Sequence, residues 1–155
     1  MREFEIRTEP IQINAPIDVV WTVLTEVDRY GEWNRFTPQV QTDFSIGSPA
    51  HLTVRMGPTR FRMTEYVCAF ERPRLIAWQT EFGARWLLRA VREQHLNPVD
   101  ETSCSYYNSD TLTGVMAPMV SVCWGGYMRR GFMDVAMGLK AHAEAIHAGT
   151  GTGEA

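Results

Sequence analysis

Four side chains combine proton or hydrogen-bond chemistry with a place on an apolar strand face. In 60–68, Phe61, Met63 and Val67 share one face by period-two alternation, and Glu65 falls on it with them. In 103–114, Cys104, Tyr106 and Leu112 share a face with Asn108 and Asp110, while Ser103, Ser105, Ser109, Thr111 and Thr113 read as the solvent side, together with Tyr107. A carboxyl taken out of water without a partner holds its proton to higher pH. A carboxyl that titrates near neutrality is what a general acid or base needs. Glu65, Asp110, Asn108 and Tyr106 are therefore the candidate catalytic group. Two plainer readings compete. A bulge flips the strand phase, or an arginine such as Arg62, Arg89 or Arg92 pairs with the carboxyl. The segment 86–97 has no single phase, because Leu87 and Val91 oppose Leu88, Ala90 and Leu96. Glu93 and His95 stay unassigned.

Other reaction grammars are missing from the sequence. There is no Ser-His-Asp pattern, P-loop, GxGxxG or HExxH. His51, His95, His142 and His147 lack metal-ligand spacing and read as solvent-facing or capping residues. Cys68, Cys104 and Cys123 form no CxxC pair, so a reducing compartment is the simpler expectation. Neither a metal nor a cofactor is expected.

Apolar residues of the same strands supply candidate ligand contacts. Ile76, Trp78 and Phe82 point one way, as do Leu52, Val54 and Met56. Trp21 lies in a helical stripe and reads as core. Tyr30 and Trp33 lie beyond that stripe and read either as core or as a lid over a cavity mouth. Trp124 and Tyr127 come early in the last helix. Met116, Met119, Met128, Met133 and Met137 are adaptable lining or core filler. The candidate ligand-binding set is Trp33, Tyr30, Val54, Met63, Trp78, Trp124 and Met128.

The elements that position these residues follow from periodicity. Residues 3–13 read as a strand ended by Pro16, which suits a first helical turn. Val20, Val23, Leu24 and Val27 give a helix over 18–27, and a second short helix is expected over 28–33 with Asp28 as its N-cap. From 39 to 114, six strand-like runs are separated by Gly, Pro, Asn and Asp signals, which gives an antiparallel meander. From 118 to 147 the period returns to 3.6, with Gly125, Met128, Phe132, Val135, Leu139, Ala143 and Ile146 on one face. The last stretch, 148–155, has nothing to bury and is expected to be a disordered tail. A curved sheet around this helix leaves space between them, and the short helices can close one end.

Composition bounds the function. The chain has 155 residues, 45% of them hydrophobic and 21% charged, which fits one folded domain. A net charge of −3 argues against a general nucleic-acid binder or a polybasic membrane anchor. The N-terminus lacks an apolar core, and the apolar run near Val115–Trp124 is too short to span a bilayer and contains Pro118. A cytoplasmic location is expected; the oligomeric state is open.

Three stretches carry a family resemblance. "APIDVVWTVLTEVDRYGEWNRF" resembles the opening of the START-like, or Bet v 1-like (SRPBCC), superfamily through Ala15-Pro16, Val20-Trp21, Asp28, Tyr30, Trp33 and Asn34. "VCAFERPRLIAWQ" is similar to its mid-sheet hairpin, and "FMDVAMGLKAHAEA" to its closing helix. Glu101-Thr102 stands where a Gly-Thr pair is often found. The resemblance implies an α+β helix-grip fold. In it, a curved antiparallel sheet of about seven strands surrounds a long C-terminal helix, and the ligand-binding domain covers 1–147. The nearest branch is that of polyketide cyclases, dehydrases and lipid-transport proteins. It implies a hydrophobic small molecule, polyketide or aromatic in kind, held in an internal cavity. Two functions fit: a cofactor-free cyclase, aromatase or dehydratase working by acid–base chemistry, and a lipid or hydrophobic-ligand carrier or sensor without turnover.

Overall fold

The structure, a computed structural model, describes residues 2–152. Strands β1 (Phe4–Arg7) and β2 (Ile11–Ile13) lead into helix α1 (Ile17–Thr25) and a 3-10 helix (Val27–Glu32). The meander follows as β3 (Gln39–Gln41), β4 (Pro49–Met56), β5 (Thr59–Glu71), β6 (Leu75–Glu81), β7 (Arg89–Asp100) and β8 (Ser103–Thr113). Helix α2 (Ala117–Thr152) closes the described chain. The strands form one antiparallel sheet in the order β1-β8-β7-β6-β5-β4-β3, with β2 also paired to β8. This is the helix-grip arrangement, with eight strands.

The sheet curves because its strands carry extra residues. The expected strand 3–13 is two strands: Arg7 opposes Ser109 and Ile11 opposes Tyr106, so Thr8, Glu9 and Pro10 face only Tyr107 and Asn108. Pro10 has no N–H for the ladder. Cys68 is an extra residue between the Val67–Trp78 and Ala69–Ala77 pairs. Val99 is another, between Pro98–Cys104 and Asp100–Ser103. Bulges of this kind bend a strand and raise its twist.

Helix α1 starts at Pro16, whose carbonyl accepts from the N–H groups of Val19 and Val20 at 3.0 and 3.2 Å. It buries Val20, Trp21, Val23 and Leu24, and the Trp21 ring lies 5.2 Å from that of Phe70. The second short helix is a 3-10 turn that begins at Val27 with no side-chain cap, so Asp28 lies inside it instead of capping it.

Helix α2 packs on β1, β2, β8, β4 and α1. Its buried stripe is Met128, Phe132, Val135, Ala136, Leu139 and Ala143. Two glycines let it approach the segment after the 3-10 turn. A Cβ on Gly131 would strike the Phe36 ring, and one on Gly138 would strike the Trp33 carbonyl oxygen. The helix continues past His147 to Thr152, where the sequence suggested a disordered tail. Adding a residue to an existing helix costs far less than starting one, so Gly and Thr extend it. The remainder of that expected tail, 153–155, lies outside the described residues.

Candidate functional site

Strand alternation and curvature together create a cavity between sheet and helix. Its volume is about 320 Å³. Val54, Met63, Leu88, Ala90 and Leu112 from the sheet, Phe36, and Val120, Trp124, Met128 and Phe132 from α2 make it mainly apolar. Phe61, Phe82 and Trp124 line it yet are 43%, 42% and 39% exposed, so they mark its mouth. A surface cleft at the β3–β4 edge is larger, at about 540 Å³, but it is walled by surface polar groups such as Gln39, Gln41, His51 and Thr53.

Arg62 also lines the cavity but is exposed, and four further polar side chains interrupt the apolar wall: Glu65, Thr80, Arg92 and Asp110. Each of these four is less than a tenth exposed. They come from four successive strands, and the register brings them together: Arg92 pairs with Trp78 on one side and Asp110 on the other. Glu65 Oε2, Asp110 Oδ1 and Arg92 Nε are buried with no hydrogen-bond partner among the described residues. Burial pushes the Glu65 carboxyl up to about 8, Asp110 adds to that rise, and Arg92 opposes it. Burial likewise pushes Asp110 up to about 6, again against Arg92. Both carboxyls therefore hold their protons to higher pH than an ordinary carboxyl, Glu65 further than Asp110. The two carboxyls share one low-dielectric space.

Asn108 and Tyr106 are inward, as the strand phase implies, but they lie behind the cavity and do not line it. The Tyr106 hydroxyl donates to Gln94 Oε1 at 3.0 Å. Asn108 Nδ2 donates to Tyr106 Oη at 3.0 Å and to the Phe132 carbonyl at 3.2 Å. This chain ties β7 and β8 to α2. Burial pushes the Tyr106 phenol up to about 12, which keeps it a neutral donor.

The apolar candidates divide. Val54, Met63, Trp124 and Met128 line the cavity; Tyr30, Trp33 and Trp78 do not. The lid reading of Tyr30 and Trp33 is corrected by the structure. Their rings meet edge-on, 4.9 Å apart, inside the core, at 1% and 7% exposure. The Tyr30 hydroxyl donates to the Leu24 carbonyl, which anchors the 3-10 turn on α1. Trp78 is 2% exposed and packs in the core.

Sequence reasoning left Arg92 and Thr80 out of the site. The inward phase of β7 is Ala90, Arg92, Gln94 and Leu96, on the same side as the buried Leu88 just before it. Glu93 and His95 face outward, where His95 Nε2 lies 2.8 Å from Glu93 Oε2 and its ring stacks on Tyr107 at 4.5 Å. Among the described residues, no three His, Cys, Asp or Glu side chains converge as a metal site would require. No helix of the described chain is long and apolar enough to cross a membrane.

A family model described as polyketide cyclase / dehydrase and lipid transport matches residues 5–144. Among solved structures, the chain is similar to the Zhui aromatase/cyclase from Streptomyces sp. R1128, at 16% identity over 92% of this chain and 94% of that one, with a TM-score of 0.71. It is also similar to norcoclaurine synthase from Thalictrum flavum in complex with dopamine and hydroxybenzaldehyde, at 15% identity over 90% and 86% of the two chains, with a TM-score of 0.65. At such identities the structural likeness is one of fold. No curated protein sequence matches the chain. The match across nearly the whole sequence and the helix-grip architecture agree: this chain belongs to the polyketide cyclase / dehydrase and lipid transport family.

Proposed function

We propose that the protein is a cytoplasmic enzyme that performs cofactor-free acid–base chemistry on an apolar small molecule in the cavity between sheet and helix. Cyclisation or dehydration of a flexible polyketide-like carbonyl compound is the reaction type. The observation that carries this reading is the pair Glu65 and Asp110. Both are buried in the apolar cavity, and their carboxyls are pushed to about 8 and about 6. Two titratable groups held on either side of neutrality can take the acid and base roles at once. Asp110 removes a proton from the substrate, and Glu65 delivers one to a departing or developing oxygen. The apolar walls fold the substrate into a reactive shape and exclude water. Tyr106 and Asn108 hold the inner end of β8 against α2 and thereby position Asp110.

The test uses a panel of β-dicarbonyl compounds that gain ultraviolet absorbance when they cyclise and lose water. Wild type is expected to accelerate at least one of them. Glu65→Gln and Asp110→Asn should each still bind it but lose turnover by about two to four orders of magnitude, the usual contribution of an acid–base group. Binding without acceleration by wild type, or turnover unaltered from wild type in both variants, would favour the carrier.

A further inference from the structure

Arg92 is a buried cation without an anion in contact. It is 6% exposed and lines the cavity. Its guanidinium lies over the rings of Phe36 and Phe132, at 5.3 and 4.9 Å from their centroids. Nη1 donates to Thr37 Oγ1 at 3.3 Å, a long bond. Nε has no partner, and no ion pair joins Arg92 to Glu65 or Asp110 among the described residues. Buried charges are ordinarily paired and hydrogen-bonded. Asp110 is the cross-strand partner of Arg92, so both side chains stand on one face of the sheet, one strand spacing apart. Asp110 Oδ1 is likewise buried without a partner.

A pure donor and a pure acceptor thus face the same apolar space without touching. A hydroxyl oxygen satisfies both at once: it accepts from an N–H of the Arg92 guanidinium and donates to the Asp110 carboxylate. A carboxylate would satisfy Arg92 but stand against the charge of Asp110. An ether would satisfy Arg92 and leave Asp110 unmatched. A phenolic or enolic O–H is a stronger donor to a carboxylate than an alkyl alcohol, and the guanidinium stabilises any charge it develops. We propose that Arg92 and Asp110 form a subsite for one acidic hydroxyl, phenolic or enolic, on an otherwise apolar ligand. This rests on the reading that the cavity is the ligand site, and it narrows the ligand class.

Three probes of one size separate the possibilities: 1-naphthol, 1-methoxynaphthalene and 1-naphthoate, titrated by tryptophan fluorescence. Wild type is expected to bind naphthol tighter than methoxynaphthalene by about tenfold or more, the effect of one unmade hydrogen bond to a charged group. Naphthol should also outbind naphthoate. Arg92→Met and Asp110→Leu should bring the naphthol-to-ether ratio towards one. The guanidinium N–H resonances of Arg92 in wild type should shift with naphthol and not with the ether, a readout that holds if a variant fails to fold. Equal binding of naphthol and ether, or unmoved guanidinium N–H resonances of Arg92, overturns the subsite and leaves the cavity reading intact. A preference for naphthoate overturns it in favour of a plain anion site. If no probe binds, the cavity reading fails and the subsite with it.

Discussion

Glu65 and Asp110 make stability depend on pH in a direction opposite to that of paired carboxylates. Their folded-state values, about 8 and about 6, lie above their ordinary ones. The folded chain therefore binds protons that the unfolded chain has released. This contribution to stability is fully present below the ordinary carboxyl range. It is lost as pH rises, through about 6 for Asp110 and about 8 for Glu65. Glu65→Gln removes the larger of the two titrations. Its melting temperature should match wild type near about pH 4 and exceed it near about pH 8.5. Thermal melts at the two values check this; a difference that does not change with pH means that Glu65 titrates normally. The inward phase of both carboxyls is legible because Glu65 lies between Met63 and Val67, and Asp110 lies two residues before Leu112 and four after Tyr106. Arg92 is not legible in this way. Counting back from the turn at Glu101-Thr102 would set Glu93 opposite Asp110. The extra residue Val99 shifts the register by one, so Arg92 takes that place and every side chain of β7 changes face.

At the scale of elements, the period of the apolar residues identifies both helices and the meander, since 3.6 and 2 are hard to confuse over long runs. It does not show where elements touch. Gly131 and Gly138 read as weak points in a helix, each unfavourable by about 1 kcal/mol against Ala. In the fold they are the places where α2 meets Phe36 and the Trp33 backbone. That contact draws Tyr30 and Trp33 into the core, and it is invisible in the spacing of either segment. Gly138→Ala should therefore destabilise the protein by about 1–3 kcal/mol despite its better helix propensity, because the obstacle is a carbonyl that cannot rotate away. Chemical denaturation checks the sign. Gly126 is the control, since a Cβ added there would meet nothing within 4 Å. Its change to Ala should leave stability unchanged or raise it.

For the whole molecule, a bent sheet and a straight helix enclose a space that neither fills. Ala90 lines that space from the sheet side. Ala90→Phe should occupy it, so that a hydrophobic dye which binds wild type no longer binds, while the circular dichroism spectrum stays the same. Unchanged dye binding by a folded Ala90→Phe protein would place the binding surface elsewhere. The family and the architecture are readable from three stretches spread along the chain; the chemistry needs the register, because the polar wall is assembled from four strands. The central claim is that this wall keeps one carboxyl protonated and one ionised at neutral pH. Carbon-detected NMR titration of the Glu65 and Asp110 carboxyl groups tests it directly. Midpoints near 8 for Glu65 and near 6 for Asp110 are expected. Both carboxyls titrating in the ordinary range near about 4 would contradict it.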